Sequence, residues 1–274
     1  MLKKHILNLF YSLKKISFSA MSIFVKRKGV NLGGGNWQKL GWVNIDFRHG
    51  GLYRAGRYLD QTSRLPFKDG SLRYVFSSHF FEHIDDRTAG NLLNESYRVL
   101  FKNGFLRITI PDFDLVFKKY KEKDDVFFDS GSWGMSMRYG NWLDNGVAPV
   151  LENKLAYAFC GYSNKDDKGL FPEWKYIKGY YCGPPKLPVE EIRSKAEGLS
   201  IHEFGRWLLS AVPEEHYDLG HINCYDEEKL FKMLEVAGFK TFYRSQYRRS
   251  KVRELQGKSF DNRPDISLYI EAIK

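Results

Sequence analysis

The sequence predicts an α/β protein built on a mainly parallel sheet. Short apolar segments with strand character alternate with helical periodicity in the first half of the chain, and the alternation returns near the C-terminus. Strands that alternate with helices favour parallel pairing, because each crossover helix returns the chain to the same end of the sheet. A chain of 274 residues with 43% hydrophobic and 16% aromatic residues is large and apolar enough for such a core.

The first half of the chain contains four predicted strands and one predicted helix. The strands are Lys28–Leu32, Trp42–Ile45, Leu72–Ser77 and Phe105–Ile110. The helix runs from about Asp85 to Leu100, because aspartates at its start favour capping and its apolar residues recur on one face. A turn is expected at Lys102-Asn103-Gly104, and Pro111 should end the last of these strands.

The α/β alternation stops between residues 114 and 219. This stretch is rich in aromatic residues, glycine and proline, and it predicts a long insertion with helices near Val189–Gly198 and Ile201–Leu209. Tryptophan and tyrosine rings stack well on sugar rings and nucleobases. We therefore expect the insertion to act as a substrate lid, with part of its aromatic residues forming a core of its own.

The alternation returns after the insertion. Asp226 is a predicted helix N-cap, and Gly238 is expected directly after the end of that helix. Two strands should finish the chain, at Phe239–Tyr243 and Ser267–Ile273. The chain is thus divided into an N-terminal segment (1–27), a core (28–113), an insertion (114–219) and a segment that completes the core (220–274).

The net charge of +10 is concentrated near the two ends of the chain. Residues 1–29 contain lysines and one arginine but no acid, and a second basic run spans Arg244–Arg253. Such runs suit a membrane surface, a phosphorylated substrate or nucleic acid, and they are equally typical of a solvated surface.

Apolar residues at helical spacing in the first 16 residues, with lysines between them, predict a basic amphipathic helix. The longest uncharged stretch, Ile16–Val25, is about half as long as a membrane-spanning helix. Two interpretations remain open. Residues 1–25 either lie on an anionic membrane surface or pack on the domain as a leading helix.

No metal site is expected from the sequence. The three cysteines, Cys160, Cys182 and Cys224, stand far apart without metal-ligand spacing, and they predict free thiols in a reducing cytoplasm. His221 follows the run Glu214-Glu215-His216, but the spacing fits no common zinc template.

Two features at predicted strand ends indicate a nucleotide-type ligand. The segment Val30–Asn36 places three consecutive glycines after the first strand, where glycine lets the backbone turn tightly and approach a ligand. Asp46 ends the second strand, and a carboxylate there can accept both hydroxyls of a ribose. It lies only 13 residues after Gly33, against about 20 in a dinucleotide-binding dehydrogenase, which argues against an NAD site.

The run Leu65–Ile84 is the most specific motif in the chain. It reads LPFKDGSLRYVFSSHFFEHI and resembles the LPFxDxSFDxVxSSHxLEHI segment of class I S-adenosylmethionine-dependent methyltransferases. Other motifs of this family are matched in order at Val30–Asn36, Gly41–Asp46, Arg98–Asp112, His221–Phe239 and Ser267–Ala272. The resemblance covers roughly residues 28–111 and 221–274. It is closest to the small methyltransferase type 11-like proteins found among bacterial surface-polysaccharide genes.

The resemblance implies a Rossmann-like seven-stranded sheet with a final antiparallel strand and a long aromatic insertion before the last helix and strands. It also implies S-adenosyl-L-methionine as cofactor, released as S-adenosyl-L-homocysteine. The residues that it assigns to the cofactor are Asn31, Gly33, Gly34, Gly35, Asp46, Asp60, Gln61, Ser78 and His79. Among these, the glycines would approach the methionine part, Asp46 would hold the ribose, and Asp60 would contact the adenine amino group.

Transfer to a hydroxyl would benefit from a base. His83 is expected to pack or cap at the start of the following helix, and the three remaining candidates are His79, Asp112 and His221. The first two follow strands whose carboxyl ends should face the site, and the third follows the insertion. The expected acceptor is a small molecule, or the sugar of a glycan or lipid-linked precursor, methylated on a hydroxyl or amine. The reaction would take place in the cytoplasm or on the inner face of the membrane.

Two alternative functions stay open at this point. Positive charge suggests nucleic-acid methylation, although the sequence contains no nucleic-acid-binding motif. A non-catalytic binding module with the same fold is permitted by two departures from the family pattern. Gly34 replaces the usual cysteine, and Asn103-Gly104 replaces Pro-Gly-Gly.

Overall fold

The computed structural model of the protein describes residues 28–34, 37, 39–46, 57–58, 64–130, 135–161, 181, 183–212, 220–261 and 263–274. The predicted N-terminal helix, Gly35, Asp60 and Gln61 lie outside the described residues. Within the described part, no helix combines the length and the apolar character that crossing a membrane requires.

The described strands form one seven-stranded sheet. They are β1 (Gly29–Leu32), β2 (Trp42–Asp46), β3 (Arg57–Tyr58), β4 (Leu72–Ser78), β5 (Leu100–Pro111), β6 (Thr241–Ser245) and β7 (Ser267–Ile273). Their order is β3-β2-β1-β4-β5-β7-β6. The first five strands pair in parallel, whereas β7 runs antiparallel to both β5 and β6. This sheet, with helices between its strands, confirms the predicted α/β class.

Eight α-helices are described. They are α1 (Asp86–Val99), α2 (Phe113–Lys121), α3 (Asp125–Asp129), α4 (Tyr139–Asp144), α5 (Leu151–Cys160), α6 (Val189–Gly198), α7 (Ile201–Ser210) and α8 (Glu227–Val236). The predicted helices correspond to α1, α6, α7 and α8, with ends that differ by one or two residues. The sequence analysis did not place α2 to α5 individually. Two of these, α3 and α4, have only five and six residues, too few for a periodicity to show.

The main core lies where α1 and α8 cover the sheet. Each helix begins at a predicted aspartate: Asp85 accepts a hydrogen bond from Thr88 N at 2.7 Å, and Asp226 accepts one from Lys229 N at 2.7 Å. The apolar faces of both helices are buried against the apolar residues of β1, β4, β5 and β7. Capping satisfies backbone N–H groups that would otherwise lack partners in the first turn, and so defines where each helix starts.

Two predicted boundaries were wrong for physical reasons. The expected turn at residues 102–104 lies inside β5, where Asn103 has a φ of 66° and the pairing with β4 shifts register. The turn signal therefore marks an irregularity in a continuous strand. The strand predicted from Phe239 starts at Thr241, because Phe239 N still donates to Leu234 O at 3.1 Å and its ring packs on Tyr97.

The insertion has a hydrophobic core of its own. Its helices α2 to α7 bury a second apolar cluster that includes Trp142, Phe159 and Phe204. Phe113 and Cys224, which flank the insertion in sequence, belong to the same cluster. The second core therefore begins at the end of β5 and returns to the sheet just before α8. Trp142 and Tyr181 are thus core residues of the insertion.

A buried ionic network connects β5 to the C-terminal segment. Arg107 is fully buried and pairs with Asp261 and with Glu271, each at 2.8 Å. Its remaining N–H groups donate to Ser245 Oγ and Gln246 O, each at 3.1 Å. A buried charge is stable only when it is paired and its hydrogen bonds are satisfied, and every N–H of this guanidinium has a partner.

Replacing Arg107 should therefore destabilise the fold strongly. The Arg107→Met variant leaves two buried carboxylates without their cation, and we expect it to lower the free energy of unfolding by about 3–5 kcal/mol. Lys232→Met is the matched control, because Lys232 forms an exposed pair with Glu228 one helical turn away, and its loss should cost less than about 0.5 kcal/mol. Urea denaturation followed by circular dichroism measures both. Equal stability of the two variants would contradict this account.

Candidate active site

The candidate site lies at the carboxyl edge of the parallel strands. Gly33 follows β1, Asp46 ends β2, Ser78 ends β4 and Asp112 follows β5. Since β1, β2, β4 and β5 are parallel, these ends meet at one edge, where ligands bind in open α/β sheets. The structure thus brings together every described residue that the sequence analysis placed at these strand ends.

The turn after β1 leaves no room for side chains. Gly33 has a φ of 68°, and a Cβ on it would lie 2.0 Å from Cγ of Phe80. A Cβ on Gly34 would lie 1.6 Å from Asn44 Oδ1 and 2.3 Å from Asn31 Nδ2. The replacement of the family's cysteine by Gly34 is therefore matched by two asparagine side chains that occupy the space.

His79 is held in a strained backbone conformation directly after β4. Its φ is 49°, an uncommon value for a residue with a side chain, and its N–H donates to Thr109 O at 2.8 Å. The imidazole lies between Glu82 Oε1 at 3.2 Å and Ser267 Oγ at 2.9 Å. Burial lowers the pKa of His79 although Glu82 acts in the opposite direction, so the ring is neutral near pH 7. A neutral ring satisfies both contacts when Nδ1–H donates to the carboxylate and the hydroxyl donates to Nε2.

Glu82 joins the strand end to the segment before α8. Its carbonyl accepts hydrogen bonds from Ile222 N at 2.8 Å and Asn223 N at 3.1 Å. Its side chain is fully buried, and Oε2 has no hydrogen-bond partner among the described residues. Burial alone would raise the pKa of Glu82, but the hydrogen bond from His79 and the nearby histidines lower it to about 2. The site therefore contains a buried carboxylate that stays ionised.

His83 and His221 face each other beside this carboxylate. Nδ1 of His83 donates to Gly220 O at 2.8 Å, and Nδ1 of His221 donates to Phe159 O at 2.7 Å. The ring centroids are 5.1 Å apart. Burial lowers the pKa of His221 to about 3, which keeps the ring neutral. Donor atoms of Glu82, His83 and His221 all lie within 4.8 Å of one another.

The sequence analysis missed this group of three. The motif Glu82-His83 was visible, but its partner lies on the far side of the insertion. The run Glu214-Glu215-His216, which precedes His221 in the sequence, lies outside the described residues. The hydrogen bonds of residues 220, 222 and 223 with His83 and Glu82 place His221 beside these two residues.

Asp112 has two structural partners. One carboxylate oxygen accepts a hydrogen bond from Leu115 N at 3.0 Å and so caps α2, while the other pairs with Arg244 at 2.6 Å. The side chain is almost completely buried. These contacts favour a role in holding α2 and β6 together rather than in proton transfer.

Residues 45–108 match the family model described as a methyltransferase domain. This span runs from the end of β2 through β4 and α1 into β5, and it contains Asp46 and Ser78 but neither Gly33 nor Asp112. In this span the chain is similar to a methyltransferase domain. No curated protein matches the chain.

The solved structures to which the chain is similar include three methyltransferases. An S-adenosylmethionine-dependent methyltransferase from Mesorhizobium loti is 13% identical and has a TM-score of 0.38, with 93% of this chain and 96% of that chain covered. One from Archaeoglobus fulgidus is 12% identical at a TM-score of 0.38, covering 97% and 93%. One from Methanosarcina mazei is 11% identical at a TM-score of 0.39, covering 91% and 94%.

S-adenosylmethionine is the cofactor that the sequence resemblance implies, and the described residues fit it. The glycine turn after β1 provides a backbone surface free of side chains. Beside it, Asn31 is buried and its Oδ1 has no hydrogen-bond partner among the described residues. An unpartnered acceptor of this kind suits an amine of a bound ligand. Asp46 is half-buried at the end of β2, where a ribose would be held.

The glycine turn gives a direct test of this geometry. Gly33→Ala should lower the free energy of unfolding by at least about 1–2 kcal/mol, because the φ of 68° disfavours a side chain and Phe80 occupies its space. Gly90→Ala is the control: it lies in α1 with open space around its Cβ, and helix propensity should raise stability by about 0.5–1 kcal/mol. Chemical denaturation distinguishes the two. A Gly33→Ala protein as stable as the wild type would show that the turn is wrongly described.

Proposed function

We propose that this methyltransferase transfers a methyl group from S-adenosylmethionine to a hydroxyl or amine of a small-molecule or glycan acceptor. The main support is the position of the insertion. Helix α5 contacts His221 through Phe159 O, and His221 in turn lies against His83 at the end of β4. The helical insertion therefore adjoins the carboxyl edge at which the methyl donor is expected. A site bordered in this way suits an acceptor that enters between the sheet and the insertion.

The bound cofactor supplies an activated methyl group, and the protein has to hold both reactants in line and exclude water. We assign the cofactor to Asn31, Gly33, Gly34, Asp46, Ser78 and His79, with Gly35, Asp60 and Gln61 as further candidates outside the described residues. Of the three candidate bases, His221 is the best placed to accept a proton. Its Nδ1–H is committed to a carbonyl, which leaves the lone pair of Nε2 available.

The acceptor class is inferred from the charge and from the family resemblance. Basic runs at both ends of the chain suit an anionic or membrane-bound substrate, such as a phosphorylated or lipid-linked sugar. We propose that the enzyme works in the cytoplasm in surface-polysaccharide or glycolipid synthesis, with residues 1–25 in peripheral contact with the membrane.

The cofactor assignment predicts a specific effect of Asp46. Asp46→Ala removes a carboxylate that would accept ribose hydroxyls, so the Kd for S-adenosylmethionine should rise roughly tenfold to hundredfold. Asp69→Ala is the control, since Asp69 is an exposed carboxylate in the turn before β4 that pairs with Arg98. Isothermal titration calorimetry gives both Kd values. An unchanged affinity in Asp46→Ala would overturn the assignment, and no binding by the wild type would favour a non-catalytic module.

The acceptor can be tested by the release of S-adenosylhomocysteine. We expect release with a sugar nucleotide or a lipid-linked sugar, and none above background with unstructured RNA. RNA-dependent release that falls steeply with added salt would instead support nucleic-acid methylation, because salt weakens phosphate contacts. The Asp46→Ala variant in the same assay shows whether the release depends on the cofactor site.

A further inference from the structure

We propose that Glu82, His83 and His221 form a binding site for a divalent transition-metal ion, and that zinc is the ion that these donors fit best. The three residues come from the end of β4 and from the segment that follows the insertion. Their donor atoms lie within 4.8 Å of one another. The inference does not depend on the identity of the methyl acceptor.

The two histidines are oriented as metal ligands. Each ring donates Nδ1–H to a backbone carbonyl, His83 to Gly220 O and His221 to Phe159 O. This contact fixes the tautomer, so that the lone pair of Nε2 is available to a cation. Histidines that bind a metal usually make such a contact through the other ring nitrogen, because it sets the ring's orientation and raises its basicity.

Glu82 supplies the negative charge that such a site needs. Its carboxylate is fully buried, and Oε2 has no hydrogen-bond partner among the described residues. Leaving a buried carboxylate oxygen without a partner is unfavourable, and a bound cation would remove that cost. The other oxygen accepts a hydrogen bond from His79, whose ring is held in turn by Ser267. Hydrogen bonding of a ligating carboxylate in this way is typical of metal sites.

The unpartnered oxygen of Glu82 differs from the buried carboxylates that pair with Arg107. The carboxylates of Asp261 and Glu271 are equally buried, but a guanidinium neutralises both of them. Around Glu82, the neighbouring polar side chains among the described residues are histidines, and Oε2 accepts no hydrogen bond from any of them. Among the described residues, the fully buried carboxylates of Asp261 and Glu271 have a cationic partner, whereas one oxygen of Glu82 has no partner and could bind a ligand.

The donor types select the ion. Mg²⁺ and Ca²⁺ prefer sets of oxygen ligands, whereas two imidazoles with one carboxylate suit zinc and its neighbours in the first transition row. Zinc bonds of about 2.0–2.2 Å require the three donors to move closer together than they now lie. Three protein ligands leave a fourth position open to water or to a substrate oxygen. A metal ion would occupy the Nε2 lone pair of His221. While the ion is bound, His221 therefore cannot act as a base.

Zinc binding to the full-length, tag-free protein tests the proposal. After treatment with a chelator, titration with zinc alone should show one tight site per chain by competition with a zinc indicator. Glu82→Gln and His83→Ala should each weaken that site by roughly tenfold or more. His202→Ala is the matched control, because His202 pairs with Asp226 at the start of α8 and is not a member of the group of three.

Thermal unfolding separates loss of the site from loss of the fold. Zinc should raise the Tm of the wild type and of His202→Ala, since a ligand that binds only the native state stabilises it. Glu82→Gln keeps the shape of the side chain and its hydrogen bond with His79, so it should fold normally yet show no zinc-dependent shift. A site that survives in the His83→Ala/His221→Ala double variant, or a stronger affinity for Mg²⁺ than for zinc, would overturn the proposal. The zinc titration and the thermal unfolding measurement contain neither S-adenosylmethionine nor an acceptor. A negative result in them would therefore leave the methyltransferase assignment unaffected.

Discussion

The junction at Glu82 is the contact on which the arrangement of the site depends. Its carbonyl receives two backbone hydrogen bonds from residues 222 and 223, and its carboxylate receives one from His79. Through these bonds, the end of β4 is connected to the chain as it leaves the insertion. Together with the hydrogen bond from His83 to Gly220 O, this junction holds His221 at the carboxyl edge and forms a polar connection between the two hydrophobic cores.

The two hydrophobic cores have different structural roles. The core under α1 and α8 supports the sheet, and it places the ends of β1, β2 and β4 at one edge. Packing in the insertion's core fixes the position of α5, so that Phe159 O and Gly161 lie next to His221. Packed protein interiors have low compressibility. The position of one core relative to the other should therefore set the space available to the methyl donor and the methyl acceptor.

Two groups of buried charged residues near β5 differ in how their charges are balanced. On one side, Arg107 neutralises Asp261 and Glu271 within the C-terminal segment. At the carboxyl edge, Glu82 is fully buried and its Oε2 has no hydrogen-bond partner among the described residues. The first arrangement stabilises the fold, whereas the second stores an unfavourable interaction at the candidate active site, as is common where a ligand is to be bound.

The sequence alone determined the α/β class, the strands around the cofactor edge, four of the helices and the glycine turn with Asp46. These features are local: a strand end, a cap or a periodic apolar face is encoded within a few consecutive residues. Tertiary structure decided what local patterns do not contain. It showed why Gly34 accepts no side chain, it gave Asp112 a capping role, and it placed His221 beside Glu82 and His83. Those outcomes depend on residues up to 139 positions apart, and their contacts follow from how the insertion packs on the sheet.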